Sequence, residues 1–85
     1  MSRAVKSLDF TWEGYKGCRE KPSVKLVTAI MESQAGDVLE VVGEDEVFPF
    51  DMLVETLRDE GFEVDVLERD DLLGSYRVRA VKVGG

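Results

Sequence analysis

The chain has 85 residues and a formal net charge of −7, with 44% hydrophobic and 34% charged side chains. This length holds one core and predicts a single domain over residues 1–85. No apolar run approaches the roughly 20 residues that span a bilayer, and the opening Met1-Ser2-Arg3-Ala4-Val5-Lys6 lacks a secretory apolar stretch, so neither a membrane segment nor a signal is expected. One cysteine excludes an internal disulfide and points to the cytoplasm, where a free thiol persists. The chain has no histidine. That excludes Ser/His and Cys/His nucleophile pairs and, with a single cysteine, a zinc site.

Charge is unevenly spread. Residues 1–25 carry six basic and three acidic side chains, residues 26–74 two and fifteen, and residues 75–85 three and none. Such blocks commonly serve solubility. A basic face on an acidic body would also attract an anionic substrate or an acidic protein patch, while the body repels nucleic acid.

Taken in order, residues 4–10 alternate, with Ala4, Lys6, Leu8 and Phe10 on one side, and predict a strand. Residues 11–21 hold Gly14 and Gly17 without a period and read as a loop, in which Trp12 and Tyr15 are expected to be local packing anchors rather than a base-stacking pair. From Pro22 the period becomes helical, with Val24, Leu26, Val27, Ile30, Met31 and Ala35 on one stripe and Gly36 as the stop. Val38 to Val42 is a mostly apolar strand ending at Gly43, followed by Glu44-Asp45-Glu46, read as a solvated acidic turn without the spacing of a calcium loop. Phe50, Leu53, Val54 and Leu57 mark a second amphipathic helix closed by Gly61. Phe62 to Val66 and Tyr76 to Ala80 alternate strictly around a loop containing Asp70, Asp71 and Gly74, and read as a hairpin. The fold predicted is α+β, a two-layer sandwich of order βαβαββ whose four-stranded mixed sheet carries both helices on one face.

Chemistry concentrates at Cys18, just ahead of the helix that Pro22 opens. A thiol at a helix start faces unpaired N–H groups and the positive end of the macrodipole, and Lys16, Arg19 and Lys21 add positive charge, all of which favours the thiolate. The plainer reading makes Cys18 a small buried hydrophobe. No glycine-rich phosphate loop is present, and no metal or cofactor is expected.

Leu8-Asp9 leading through glycines to Cys18, Pro22 opening the first helix, Gly36-Asp37-Val38-Leu39, Asp45 followed by Asp51-Met52, Gly61 before an alternating strand and the closing Tyr76-Arg77 together resemble the SirA/TusA family of small sulfur-carrier proteins over nearly the whole chain. The family's Cys-Pro-x-Pro reads Cys18-Arg19-Glu20-Lys21-Pro22 here. The resemblance implies that Cys18 accepts sulfur as a persulfide from a donor such as a cysteine desulfurase or rhodanese-like protein and passes it to an acceptor relay protein or a thiolation enzyme. Lys16, Arg19 and Lys21 would stabilise thiolate and persulfide, in a monomer without a membrane or direct nucleic-acid partner. Two other classes stay open. Gly84-Gly85 could present a terminal thiocarboxylate as ubiquitin-like carriers do, or the domain could be a binding module without a reactive thiol.

Overall fold

The computed structural model describes residues 4–16 and 20–83. Seven elements follow one another: β1 (Val5–Phe10), α1 (Trp12–Tyr15), α2 (Pro22–Glu32), β2 (Val38–Glu44), α3 (Phe50–Asp59), β3 (Phe62–Asp70) and β4 (Ser75–Lys82). The strands form one sheet in the order β1-β2-β4-β3. β1 runs parallel to β2, and β4 is antiparallel to both of its neighbours. This is the mixed four-stranded sheet that the element order predicts, with α1 as an additional short helix.

Alternation along the strands decides the layers. Leu8 and Phe10, Leu39 and Val41, Tyr76, Val78 and Ala80, and Phe62 form one buried cluster with Leu26, Ala29 and Ile30 of α2 and with Leu53 and Leu57 of α3. Sharing one cluster places α2 and α3 on the same face of the sheet. The opposite face carries Ser7, Asp9, Glu40, Asp65, Arg77 and Arg79, all exposed. α3 follows its periodicity closely: Leu53, Val54 and Leu57 are buried, and Gly61, at φ 88°, ends it from the left-handed region.

Three boundaries differ from the sequence reading. α2 stops at Glu32 instead of running to Gly36, because Ser33 is extended (φ −84°, ψ 139°) and donates its hydroxyl to the Ala29 carbonyl at 2.7 Å. Gly36, at φ 94°, forms the turn into β2, and its N–H donates to the Lys82 carbonyl at 2.8 Å. The apolar stripe of α2 is also narrower than predicted. Leu26, Ala29 and Ile30 point inward, whereas Val24 and Val27 are half exposed and Met31 is 79% exposed. The helix packs against β1 at one edge of the sheet.

Gly43 does not end β2. It lies within the strand opposite Tyr76, and a Cβ there would fall 2.5 Å from Tyr76 Cζ, so the phenol ring lies directly on the glycine. β3 is longer than its strict alternation, because a bulge between Val66 and Glu68 inserts the half-exposed Leu67 and re-phases the strand. No helix among the described residues is long and apolar enough to cross a membrane.

Candidate functional site

The parallel pairing of β1 and β2 brings their carboxyl ends together, and α2 runs back alongside β1, its last residue Glu32 pairing with Lys6 at 3.1 Å. The starts of α1, α2 and α3 therefore gather at one end of the sheet, the end at which open α/β sheets commonly hold ligands. Trp12 N–H donates to Glu44 Oε1 at 3.2 Å and Phe50 N–H to Asp45 Oδ1 at 3.0 Å, which ties the first and third helix starts to the end of β2.

α1 is built on a side-chain relay rather than on apolar burial. Asp9 Oδ1 accepts from the Thr11 hydroxyl at 2.6 Å and from the Thr11 N–H at 2.9 Å, and Thr11 Oγ1 in turn accepts from Gly14 N–H at 3.2 Å as the N-cap. These Thr11 bonds hold the Asp9 carboxyl below its ordinary value, with Lys25 of α2 contributing from a distance. The stretch predicted as loop thus contains a helix. Four residues with none buried leave no apolar period, and the only sequence signal was the Asp9-x-Thr11 capping pattern. Trp12 and Tyr15 pack against each other at 5.9 Å as expected of anchors, yet Trp12 stays 55% exposed and neither joins the core.

Of the residues assigned to the site from sequence, Cys18 and Arg19 lie outside the described residues. Lys16 and Lys21 stand on either side of them. Lys16 closes α1, is largely exposed and pairs with Glu13 at 3.1 Å, so part of its charge is already matched. Lys21 is exposed and serves as the N-cap of α2 without a side-chain cap bond, its carbonyl accepting from Val24 and Lys25 N–H at 3.0 and 3.1 Å. Pro22 occupies the first turn, as predicted.

The two long helix starts differ in charge. α3 begins under the Asp45 carboxylate and carries Asp51 in its first turn. α2 has no acidic residue in its first turn, and among the described residues no side chain caps it. Its positive end is left without a matched anion from its own first turn.

A second constellation escaped the sequence reading. Arg69 grips Asp45 with two bonds, Nη2 to Oδ2 at 2.8 Å and Nη1 to Oδ1 at 3.2 Å, while its Nε bonds Asp71 at 3.1 Å and its guanidinium sits 4.6 Å above the Phe50 ring. The Arg69 bonds, followed by the Phe50 N–H, hold the Asp45 carboxyl below its ordinary value. Tyr76 donates its hydroxyl to the Phe48 carbonyl at 2.7 Å, and burial pushes its phenol well above the usual range. Glu44-Asp45-Glu46 is therefore no freely solvated turn, since Asp45 pins the start of α3 to the end of β3. Arg69 and Tyr76 border a cavity of about 660 Å³ that reaches Thr11, Gly43, Leu73 and Arg77. Arg69 is committed to Asp45 and Asp71, and Arg77 lies 3.9 Å from Glu68, so the cations among the described lining residues are paired.

Comparison with protein-family models, with curated proteins and with solved structures finds no match. The likeness to the SirA/TusA carriers accordingly rests on the residues quoted above and on the element order. Among the described residues, no group of three His, Cys, Asp or Glu side chains could hold a metal.

Proposed function

We propose that the protein is a cytoplasmic sulfur carrier. The Cys18 thiolate attacks the outer sulfur of a donor persulfide, held by a protein such as a cysteine desulfurase or a rhodanese-like protein. The donor's S–S bond breaks as the new one forms, and the donor leaves as a thiolate, so no external oxidant or reductant is consumed. An acceptor relay protein then takes the outer sulfur from Cys18 by the same exchange.

The observation that supports this reading is the unmatched start of α2. The chain leads from Cys18 to Pro22 in four residues, with Glu20 just ahead of the N-cap, and among the described residues the first turn of α2 bears no acid and its N-cap makes no side-chain bond, whereas α3 has Asp45 on its first N–H and Asp51 in its first turn. A thiolate or persulfide supplies the missing negative charge, with Arg19 and Lys21 adding to the stabilisation and Lys16 sharing its charge with Glu13. The parallel β1–β2 pairing also separates this fold from one that opens with a hairpin, which the Gly84-Gly85 thiocarboxylate reading requires. Gly84 and Gly85 lie outside the described residues.

Intact mass after incubation with a persulfide-generating donor tests the proposal. The parent protein should gain one sulfur atom, the Cys18→Ser protein none, and a protein lacking Gly84 and Gly85 should load as the parent does. A parent that never loads, or a Cys18→Ser protein that does, overturns it.

A further inference from the structure

β3 is one of the two edges of the sheet, and α2 packs beside the other. The Val83 N–H donates to the Gly61 carbonyl at 2.9 Å, which fixes the phase of the β3–β4 ladder. In that phase the backbone groups of Glu63 and Asp65 turn toward β4, and those of Phe62, Val64 and Val66 turn outward. No side chain or turn among the described residues bonds these three outward groups.

Beside this edge a groove of about 480 Å³ separates β3 from α3. Phe50, Val54 and the half-exposed Val66 supply its apolar surface, and Asp51, Glu55 and Asp59, one turn apart along α3, rim it together with Arg58. The other side of the strand adds Glu63, Asp65 and Glu68, all exposed, of which Asp65 stands opposite Arg79 and Glu68 lies 3.9 Å from Arg77 on β4. β3 contains no lysine, and its one arginine, Arg69, is taken by Asp45 and Asp71.

This charge pattern selects the occupant. A second copy joining edge to edge would set Glu63, Asp65 and Glu68 against the same residues, a like-charge contact of the kind that keeps sheet edges apart. An added strand bearing Lys or Arg would meet carboxylates on both of its faces, and an apolar side chain on its helix side would cover Val54 and Val66. We propose that the free edge of β3 and the groove beside it bind an extended, lysine- or arginine-rich segment of another protein by strand addition. The inference does not depend on sulfur transfer.

The test uses the whole protein and a fluorescein-labelled peptide of about ten residues alternating Val and Lys, the length of one long strand. Fluorescence polarisation should show saturable binding that weakens with added salt, and no binding of the Val/Glu counterpart. Hydrogen exchange at the Phe62, Val64 and Val66 amides should slow when the Lys peptide is present. Reversing the exposed Glu55→Lys and Asp59→Lys together should weaken binding by about tenfold or more. Val66→Pro, which removes an outward N–H at an edge position that tolerates proline, should abolish it. Where the proline variant does not fold, the charge reversal and the amide exchange decide the question. Equal binding of the Glu peptide, no binding of the Lys peptide, unchanged exchange at the three amides, unchanged affinity after charge reversal, or sedimentation showing self-association through this edge each overturns the proposal.

Discussion

A methyl group on Gly14 would lie 2.5 Å from the carboxyl carbon of Asp9, a side chain that Thr11 holds by two bonds. Gly14→Ala should therefore displace either the Asp9 carboxylate or α1, at a cost of about 1 to 3 kcal/mol. Denaturant titration measures the loss, and a shift in tryptophan emission reports the displacement, since Trp12 is the only tryptophan and sits on α1. Unchanged stability and emission would show that α1 is not held as described. Asp45 makes a different prediction, about pH. Its folded-state pKa is depressed, so its contribution is present above the unfolded value near 3.8 and is lost as the pH falls through the lower folded value. Asp45→Asn should melt at a lower temperature than the parent at neutral pH, and the gap should close as the pH falls below about 4. A gap that stays constant through the acid range would remove Asp45 from the stability of the folded state.

The helices differ in how much each one buries. Leu57 of α3 is fully buried beside Leu53, so Leu57→Ala should cost about 2 to 5 kcal/mol in denaturant unfolding. Met31 of α2, on the stripe predicted as apolar but 79% exposed, should tolerate alanine within about 0.5 kcal/mol. A large loss at Met31 or none at Leu57 would reverse the assignment of their faces. This contrast also shows what a periodic pattern conveys. α3 was legible because three of the apolar positions that its period supplies, Leu53, Val54 and Leu57, are the ones it buries. α2 was over-read because apolar side chains mark where burial is permitted, and of its predicted stripe only Leu26 and Ile30 reach the core. α1 was illegible, since its stability comes from Asp9, Thr11 and Gly14 rather than from an apolar face. The same limit hid the second constellation. Asp45 and Arg69 stand 24 residues apart, and neither carries a local mark of its partner.

At the scale of the whole molecule, the order of elements was legible because short links between strands and helices leave few ways to lay both helices over one sheet. Cys18 could be singled out by composition and position alone, whereas the charge asymmetry between the starts of α2 and α3 emerged only when β2, α3 and β3 came together around Asp45. The strand order has a further consequence for how the protein is made. Of these four strands β4 is synthesised after the other three, yet it lies inside the sheet, and β2 and β3 meet only through it. While the chain leaves the ribosome, β3 has no partner, and Leu39, Val41, Leu53 and Leu57 wait for Tyr76, Val78 and Ala80. Completion of the sheet is therefore a single late event rather than a stepwise one. Through that interval the carboxylates of β3 give the nascent chain a charge that repels its neighbours on the same message, before any partner strand is in place.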